Sequence, residues 1–302
     1  MSQHPLSPRL GANLLLLLTA VIWGFAFVAQ RSGMEHVGPY TFNAVRFLIG
    51  GLVLVPFLLL TDRRRPATSD RRPALRGGVL AGGVLFAAAT LQQTGIAFTT
   101  AGKAGFITSL YVVLVPILGL ALGHRPSAAV WVGAALSAAG LYFLTIQGGF
   151  RMAPGDLLVL MGAFLWAIHV LLIGHLSPGT DPARLAFVQF VTCAALSGMA
   201  ALLLEVTTLA DLRAALAPIL YAGIMSVGVG YTLQVAAQRH ARPADAAIIL
   251  SLEAVFAVIG GRLLLGEQLT TRALFGCGLM LAGILISQLI GRPEDAAVEI
   301  SH

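Results

Sequence analysis

Charge is what this sequence has least of. Only 11% of its 302 residues are Asp, Glu, Lys or Arg, whereas an ordinary soluble chain carries about 25%. Too few charges remain to keep a globular surface in water. Cysteine is also scarce: Cys193 and Cys277 both fall inside apolar runs and show no ligand spacing, so they read as small buried hydrophobes. No Ser/His/Asp set, HExxH motif or cysteine cluster is present. The glycine pairs Gly77-Gly78 and Gly82-Gly83 sit in apolar surroundings and read as close-packing helix surfaces rather than phosphate cradles.

What is present is apolar length. Hydrophobic residues make up 57% of the chain, the mean hydropathy is +0.87, and uncharged runs of about 18 or more residues read as membrane-crossing helices. Ten such spans can be placed, at 10–29, 39–60, 74–98, 101–122 and 128–146, then 154–174, 182–204, 216–238, 243–265 and 272–290. The first is longer than a signal-peptide core and has no clear small-residue cleavage site, so it reads as retained.

The net charge of +6 needs no nucleic acid to explain it, because arginines in cytoplasmic loops supply it. With the N-terminus inside, twelve basic residues fall on the cytoplasmic side: Arg9, Arg63, Arg64, Arg65, Arg71, Arg72, Arg76, Arg125, Arg184, Arg239, Arg242 and Arg292. Six fall opposite, namely Arg31, Lys103, Arg151, Arg213, Arg262 and Arg272, while Arg46 lies within a span. That bias places both termini in the cytoplasm. The cluster between Arg63 and Arg76 reads as a topology determinant or as a contact for anionic lipid.

The chain also repeats itself. Trp23 matches Trp166, Val45-Arg46-Phe47 matches Val188-Gln189-Phe190 and Ala139-Gly140 matches Ala282-Gly283, all 143 apart, while Leu91-Gln92 matches Leu233-Gln234 at 142. Five spans per copy is an odd number, so the second copy must sit upside down relative to the first. Inverted repeats that meet at the midplane are a transporter architecture, with a central site opened alternately to each side.

Polar residues inside the spans are few. Glu253 stands near the middle of 243–265, where an acidic side chain costs about 2.5 to 3.5 kcal/mol unless it faces protein or water. It reads as a proton-carrying cavity residue or as a packing bond to a neighbouring helix. The corresponding stretch 101–125 shares the Ser-Leu pair, Ser109-Leu110 against Ser251-Leu252, and a late glycine, Gly123 against Gly266. Arg46 lies about two turns into its span, deep enough to hold a carboxylate with two hydrogen bonds; the alternative is snorkelling outward or pairing with a helix end. Its mate Gln189 is neutral. Trp23 and Trp166 sit away from the interfacial belts, and His169 follows Trp166 on nearly the same face. Gln92, Gln234, Tyr111 and Tyr231 complete the candidate substrate-binding set, each with an equally simple packing role.

These features resemble the drug/metabolite transporter superfamily, in particular its EamA-type ten-helix carriers, over 14–289. The residues that carry the resemblance are Trp23-Gly24, Pro39 followed by Arg46-Phe47, the run from Ser251 to Ala257, and Leu265-Gly266-Glu267. A departure is His124-Arg125, where such carriers often show Glu-Arg after the fourth span; Glu267 keeps the corresponding place in the second copy. The resemblance implies export or uptake of small metabolites, often amino acids, by alternating access. The expectation is therefore an all-α membrane protein of ten transmembrane helices in two inverted five-helix repeats, 10–146 and 154–290, in the inner membrane. It has a small-molecule substrate and the lipid bilayer as partners, a proton or ion gradient as a coupling option, and no cofactor. Broad drug efflux is the rival within transport, and an intramembrane enzyme using His169 with Ser226 or Ser251 is the rival outside it.

Overall fold

The computed structural model describes residues 8–62, 72–99, 101–145, 154–265 and 270–290. Arg63, Arg64, Arg65, Arg71, Arg151, Arg292, Gly266 and Glu267 lie outside them, and with them part of the loop-charge pattern. Among the described residues all regular structure is helical. The first half holds α1 (Pro8–Gly33), α2 (Pro39–Asp62), α3 (Arg72–Ile96), α4 (Ala101–Ser109), α5 (Tyr111–Ala121) and α6 (Ala128–Thr145). The second holds α7 (Pro154–Leu176), α8 (Pro182–Leu204), a short α9 (Leu209–Ala214), α10 (Leu216–Leu220), a π-helical segment (Tyr221–Tyr231), α11 (Thr232–Ala237), α12 (Pro243–Leu250), α13 (Glu253–Leu265) and α14 (Thr271–Ile290).

Proline opens five of these helices, at Pro8, Pro39, Pro154, Pro182 and Pro243, where its fixed φ suits the first turn and its missing N–H costs nothing. Asp181 caps α8 by accepting from the Arg184 N–H at 2.9 Å. On α9 the Thr208 backbone N–H and hydroxyl both donate to Asp211, which holds that carboxyl below the usual carboxylate range.

Among the described residues, eight helical stretches are long and apolar enough to cross a membrane, and two shorter apolar ones, Ala128–Phe143 and Leu274–Ser287, stand beside them. The two shorter ones belong to α6 and α14, which pack on each other more extensively than any other pair. They do so through glycine: a Cβ on Gly133 would lie 2.7 Å from the Gly283 carbonyl oxygen, and the reverse also holds.

The surface is inverted relative to that of a soluble protein. Leu59, Leu60, Leu202 and Leu203 are 60%, 62%, 88% and 83% exposed, whereas Arg46, Gln92, Gln93, His169, Gln189 and Glu253 are all buried. Apolar residues outside and hydrogen-bonding residues inside suit a hydrocarbon surround.

Packing runs between the halves and repeats when they are exchanged. α3 lies on α7 as the π segment and α11 lie on α1; α4 and α5 lie on α7 as α12 and α13 lie on α1; α2 lies on its counterpart α8. One close approach sets the site: a Cβ on Gly24 would sit 2.7 Å from the Glu253 carbonyl oxygen and 2.8 Å from the Ala257 nitrogen. α1 therefore rests directly on the first turn of α13.

Polar ties close both ends of the bundle. At one end Asp245 accepts from Arg242 Nε at 2.9 Å and from the Ser287 hydroxyl at 3.2 Å, with Arg9 at 3.8 Å. At the other, the Glu205 carboxylate accepts the Tyr40 and Thr41 N–H groups at 2.9 and 2.8 Å. A chain residue from the second half thus caps the helix start of the first.

Three expected spans are not single α-helices. The span 101–122 divides into α4 and α5, 243–265 into α12 and α13, and 216–238 into α10, the π segment and α11. Apolar periodicity cannot register such interruptions, since the composition stays apolar through them.

Candidate functional site

The two helix breaks fall at the Ser-Leu pairs that the halves share. At the first, the Leu110 N–H returns to the Ile107 carbonyl at 3.2 Å; at the second, the Leu252 N–H returns to that of Ile249 at 3.2 Å. Each is a tightened i to i+3 turn that ends one half-helix and starts the next. The Ser251 hydroxyl bonds back to the Ile248 carbonyl at 2.7 Å. Glu253 accordingly opens α13 in its first turn instead of standing mid-helix, close to N–H groups that lack partners within the helix. Ser109 donates to its Oε1 at 3.3 Å. Tyr111, which holds in the first half the place of Glu253 in the second, 142 residues apart, shares the cavity with that carboxyl, but its hydroxyl makes no hydrogen bond of regular geometry.

Around this junction lies a cavity of about 30 Å³, enough for one or two waters. Eight of the ten expected residues line it: Trp23, Arg46, Gln92, Tyr111, Trp166, Tyr231, Gln234 and Glu253. Arg46 is 2% exposed and neither snorkels nor caps a helix. Its guanidinium carbon lies 4.9 Å from the Phe47 ring centre and 5.5 Å from that of Phe42, and its Nε has no hydrogen-bond partner. Arg46 and Glu253 share the cavity, and neither forms an ion pair with any described residue.

The glutamine mates divide their roles. Gln92 Oε1 accepts from Trp166 Nε1 at 2.6 Å and from the Thr108 hydroxyl at 3.3 Å, while its Nε2 donates to Gln30 Oε1 at 3.1 Å. It ties α1, α4 and α7 to α3. Gln234, by contrast, is 1% exposed and has no partner among the described residues for either its oxygen or its nitrogen. The tryptophans also diverge: Trp23 Nε1 donates to the Ser226 carbonyl at 3.2 Å. Between them stands Tyr231, its ring centre 4.6 Å from that of Trp23 and 6.0 Å from that of Trp166. The mates Phe47 and Phe190 each approach Tyr231 at 6.0 Å, which closes an aromatic wall on one side of the cavity.

Two expected residues are not on its lining. His169 and Gln189 bond to each other at 2.9 Å, Nε2 to Oε1, behind the Trp166 and Tyr231 rings. Among the described residues no serine hydroxyl bonds to the imidazole, whose Nδ1 has no partner there. His169 shares a helical face with Trp166, yet its ring packs edge-on against Trp166 at 5.8 Å and Tyr231 at 6.2 Å, and those two rings, not the imidazole, line the cavity. Gln30, Thr108, Phe27 and Val170, not singled out from the sequence, also line the cavity, as does Ser226, which the sequence offered only as a partner for His169. Gln30 is two turns beyond Trp23 and Thr108 adjoins the shared Ser-Leu pair, so helical spacing could have found both. Ser226 lies in the π segment, whose extra residue per turn re-aims side chains in a way no 3.6-residue pattern predicts.

A helical bundle with an apolar exterior, two broken helices meeting at depth and a polar cavity enclosed between its halves defines a multi-span membrane protein of the carrier class. The EamA-like transporter family matches residues 10–146 and 153–289, and the chain belongs to that family. Its relatives include a transporter of Archaeoglobus fulgidus, 34% identical over 93% of this chain and 87% of that protein. The threonine/homoserine exporter RhtA of Escherichia coli strain K12 is 28% identical over 95% of this chain and 94% of its own length. The inner membrane transporter YedA of the same strain is 31% identical over 54% of this chain and 52% of its own. One crystal structure shares the fold with a TM-score of 0.74 at 20% identity, covering 92% of this chain and 96% of the other.

Proposed function

We propose that the protein exports small zwitterionic amino acids or close relatives across the inner membrane by alternating access. The observation that carries this reading is the pair Arg46 and Glu253, a guanidinium and a carboxyl group that share one buried cavity without pairing with each other. A guanidinium can take a substrate carboxylate with two hydrogen bonds, and a carboxylate or an aromatic wall can take an ammonium group. Gln234, with four unused hydrogen-bonding positions, is placed to receive a side-chain hydroxyl or amide. The likeness to a threonine/homoserine exporter supports the same class.

The cavity is too small for an amino acid as it stands, so loading requires the two repeats, 10–146 and 154–290, to move against each other. In this reading both termini are cytoplasmic, Trp23, Tyr111 and Tyr231 contact substrate, and Trp166 and Gln92 hold the wall. His169 and Gln189 support that wall from behind.

Counterflow in proteoliposomes with a panel of amino acids, nucleosides and cationic dyes tests the proposal. Exchange of radiolabelled threonine-sized amino acids, and not of the dyes, is expected. The aromatic wall of Trp23, Tyr231 and Trp166 favours broad efflux as the second reading, and preferential exchange of the dyes would establish it instead.

A further inference from the structure

Outside the central cavity, two others flank α5 at the end of the bundle that carries Arg9, Arg125, Arg184 and Arg242. The first, about 70 Å³, lies between the turn after α5 and the start of α12; His124, Arg125 and Arg242 line it, and among the described residues no carboxylate does. The second is far larger, about 570 Å³, and runs along α5 and α7 between Leu118, Leu122, Ile168 and Leu172. Both are bounded by His124 and Leu171, so a cationic pocket opens directly onto an apolar trough. The geometry points to a binding site for one anionic phospholipid, its phosphate between Arg125 and Arg242 and an acyl chain laid along the trough.

The pocket is built. Gly123, with φ 82°, ends α5 in a left-handed cap: its N–H bonds to the Leu120 carbonyl at 3.1 Å and the His124 N–H bonds to that of Gly119 at 2.9 Å. Only glycine adopts that φ without strain, and the paired bonds set the direction in which His124 and Arg125 leave the helix. Arg242 is fixed from the other side by its Nε bond to Asp245. Arg125 is exposed and makes no ion pair with any described residue. Two cations, one after the end of α5 and one at the start of α12, beside an apolar trough that runs inward along α5 and α7, match the order of headgroup and chain in a lipid leaflet. A carboxylate at position 124 would repel a phosphate here; histidine does not.

Native mass spectrometry of the full chain in detergent, titrated with phosphatidylglycerol or phosphatidylcholine of the same acyl chains, tests this. The wild type is expected to retain one phosphatidylglycerol in preference to phosphatidylcholine. Arg125→Ala should weaken phosphatidylglycerol on the order of fivefold, the effect of one basic side chain at a membrane surface. His124→Glu should weaken it further, and both variants should leave phosphatidylcholine unchanged. Leu122→Trp, which fills the trough from an exposed position, should reduce retention of both lipids. Equal retention of the two lipids by the wild type would overturn the proposal. So would unchanged phosphatidylglycerol retention in Arg125→Ala and His124→Glu, each first shown to melt at the wild-type temperature. Loss of substrate counterflow by Arg125→Ala in vesicles of phosphatidylcholine alone, with phosphatidylglycerol retention intact, would assign the pocket to the substrate path instead. None of the lipid measurements needs a transported substrate, so they stand whether or not amino acids are the cargo.

Discussion

Ser109 donates a 3.3 Å hydrogen bond to Glu253, and this bond joins the helix break of the first half to that of the second. The halves are related in sequence but not identical at this junction. Tyr111 holds the place that Glu253 holds in the other copy, Arg46 that of Gln189, and the fully bonded Gln92 that of the unbonded Gln234. At each mismatch a polar group of one copy, Tyr111 with Glu253, Arg46 and Gln234, lines the cavity.

Replacing Glu253 with Gln preserves shape and an oxygen for Ser109 but removes the ionisable group. The variant is expected to fold and to lose the pH dependence of transport across roughly pH 5 to pH 8. A wild-type profile, measured side by side in proteoliposomes, would reduce Glu253 to a packing bond.

Arg46→Gln makes the halves match at this position. Binding of a carboxylated substrate should fall tenfold or more, the effect of losing a charged contact worth about 1.5 to 3 kcal/mol. A neutral amide analogue should be little affected. Equal losses for both substrates, with a lower yield of folded protein, would make the guanidinium structural.

Gln92→Leu and Gln234→Leu should separate stability from transport. The first strands Trp166 Nε1, Thr108 and Gln30 and should destabilise by about 1 to 3 kcal/mol, read as a lower melting temperature in detergent. The second removes only unpartnered atoms, so its melting temperature should hold or rise while the KM for transport increases.

Adjacent glycines on α3 provide a packing test. A Cβ on Gly82 would meet Thr192 Cβ at 2.5 Å and the Gln189 carbonyl oxygen at 2.8 Å, whereas one on Gly83 meets nothing within 4 Å. Gly82→Ala is expected to lower the melting temperature by prying α3 from α8. Gly83→Ala should be neutral or raise it slightly, through the better helix propensity of alanine.

Single cysteines at Ser69 and Val206, with Cys193 and Cys277 replaced by alanine, test the inversion, because the two positions lie in corresponding loops of the two copies. An impermeant maleimide applied from outside should label Val206→Cys, which replaces a side chain that is 98% exposed, and spare Ser69→Cys. Labelling of both from one side would remove the inverted arrangement and the orientation of the termini with it.

Much of the cavity lining is legible in the sequence because a polar residue in an apolar span must find a partner or a cavity, so Arg46, Gln92, Gln234 and Glu253 identify themselves by their cost alone. Whether each found a partner or a cavity was not legible. Gln92 and Gln234 occupy the same place in the repeat, and their opposite fates depend on Thr108, Trp166 and Gln30, residues 16 to 74 positions away from Gln92. His169 likewise satisfies every sequence criterion for a cavity residue, yet it bonds to Gln189 and packs against the Trp166 and Tyr231 rings without lining the cavity.

By itself, the sequence determined the class: few charges and uncharged apolar runs of about 18 or more residues select membrane helices, whose backbone bonds close within each run, over the shorter alternating strands of a barrel. Only the tertiary structure decided where those helices break and which polar groups remain unpaired. Both outcomes depend on contacts between the halves, such as Gly24 on the first turn of α13 and Ser109 on Glu253, which bring together residues far apart in the chain and leave no trace in local periodicity.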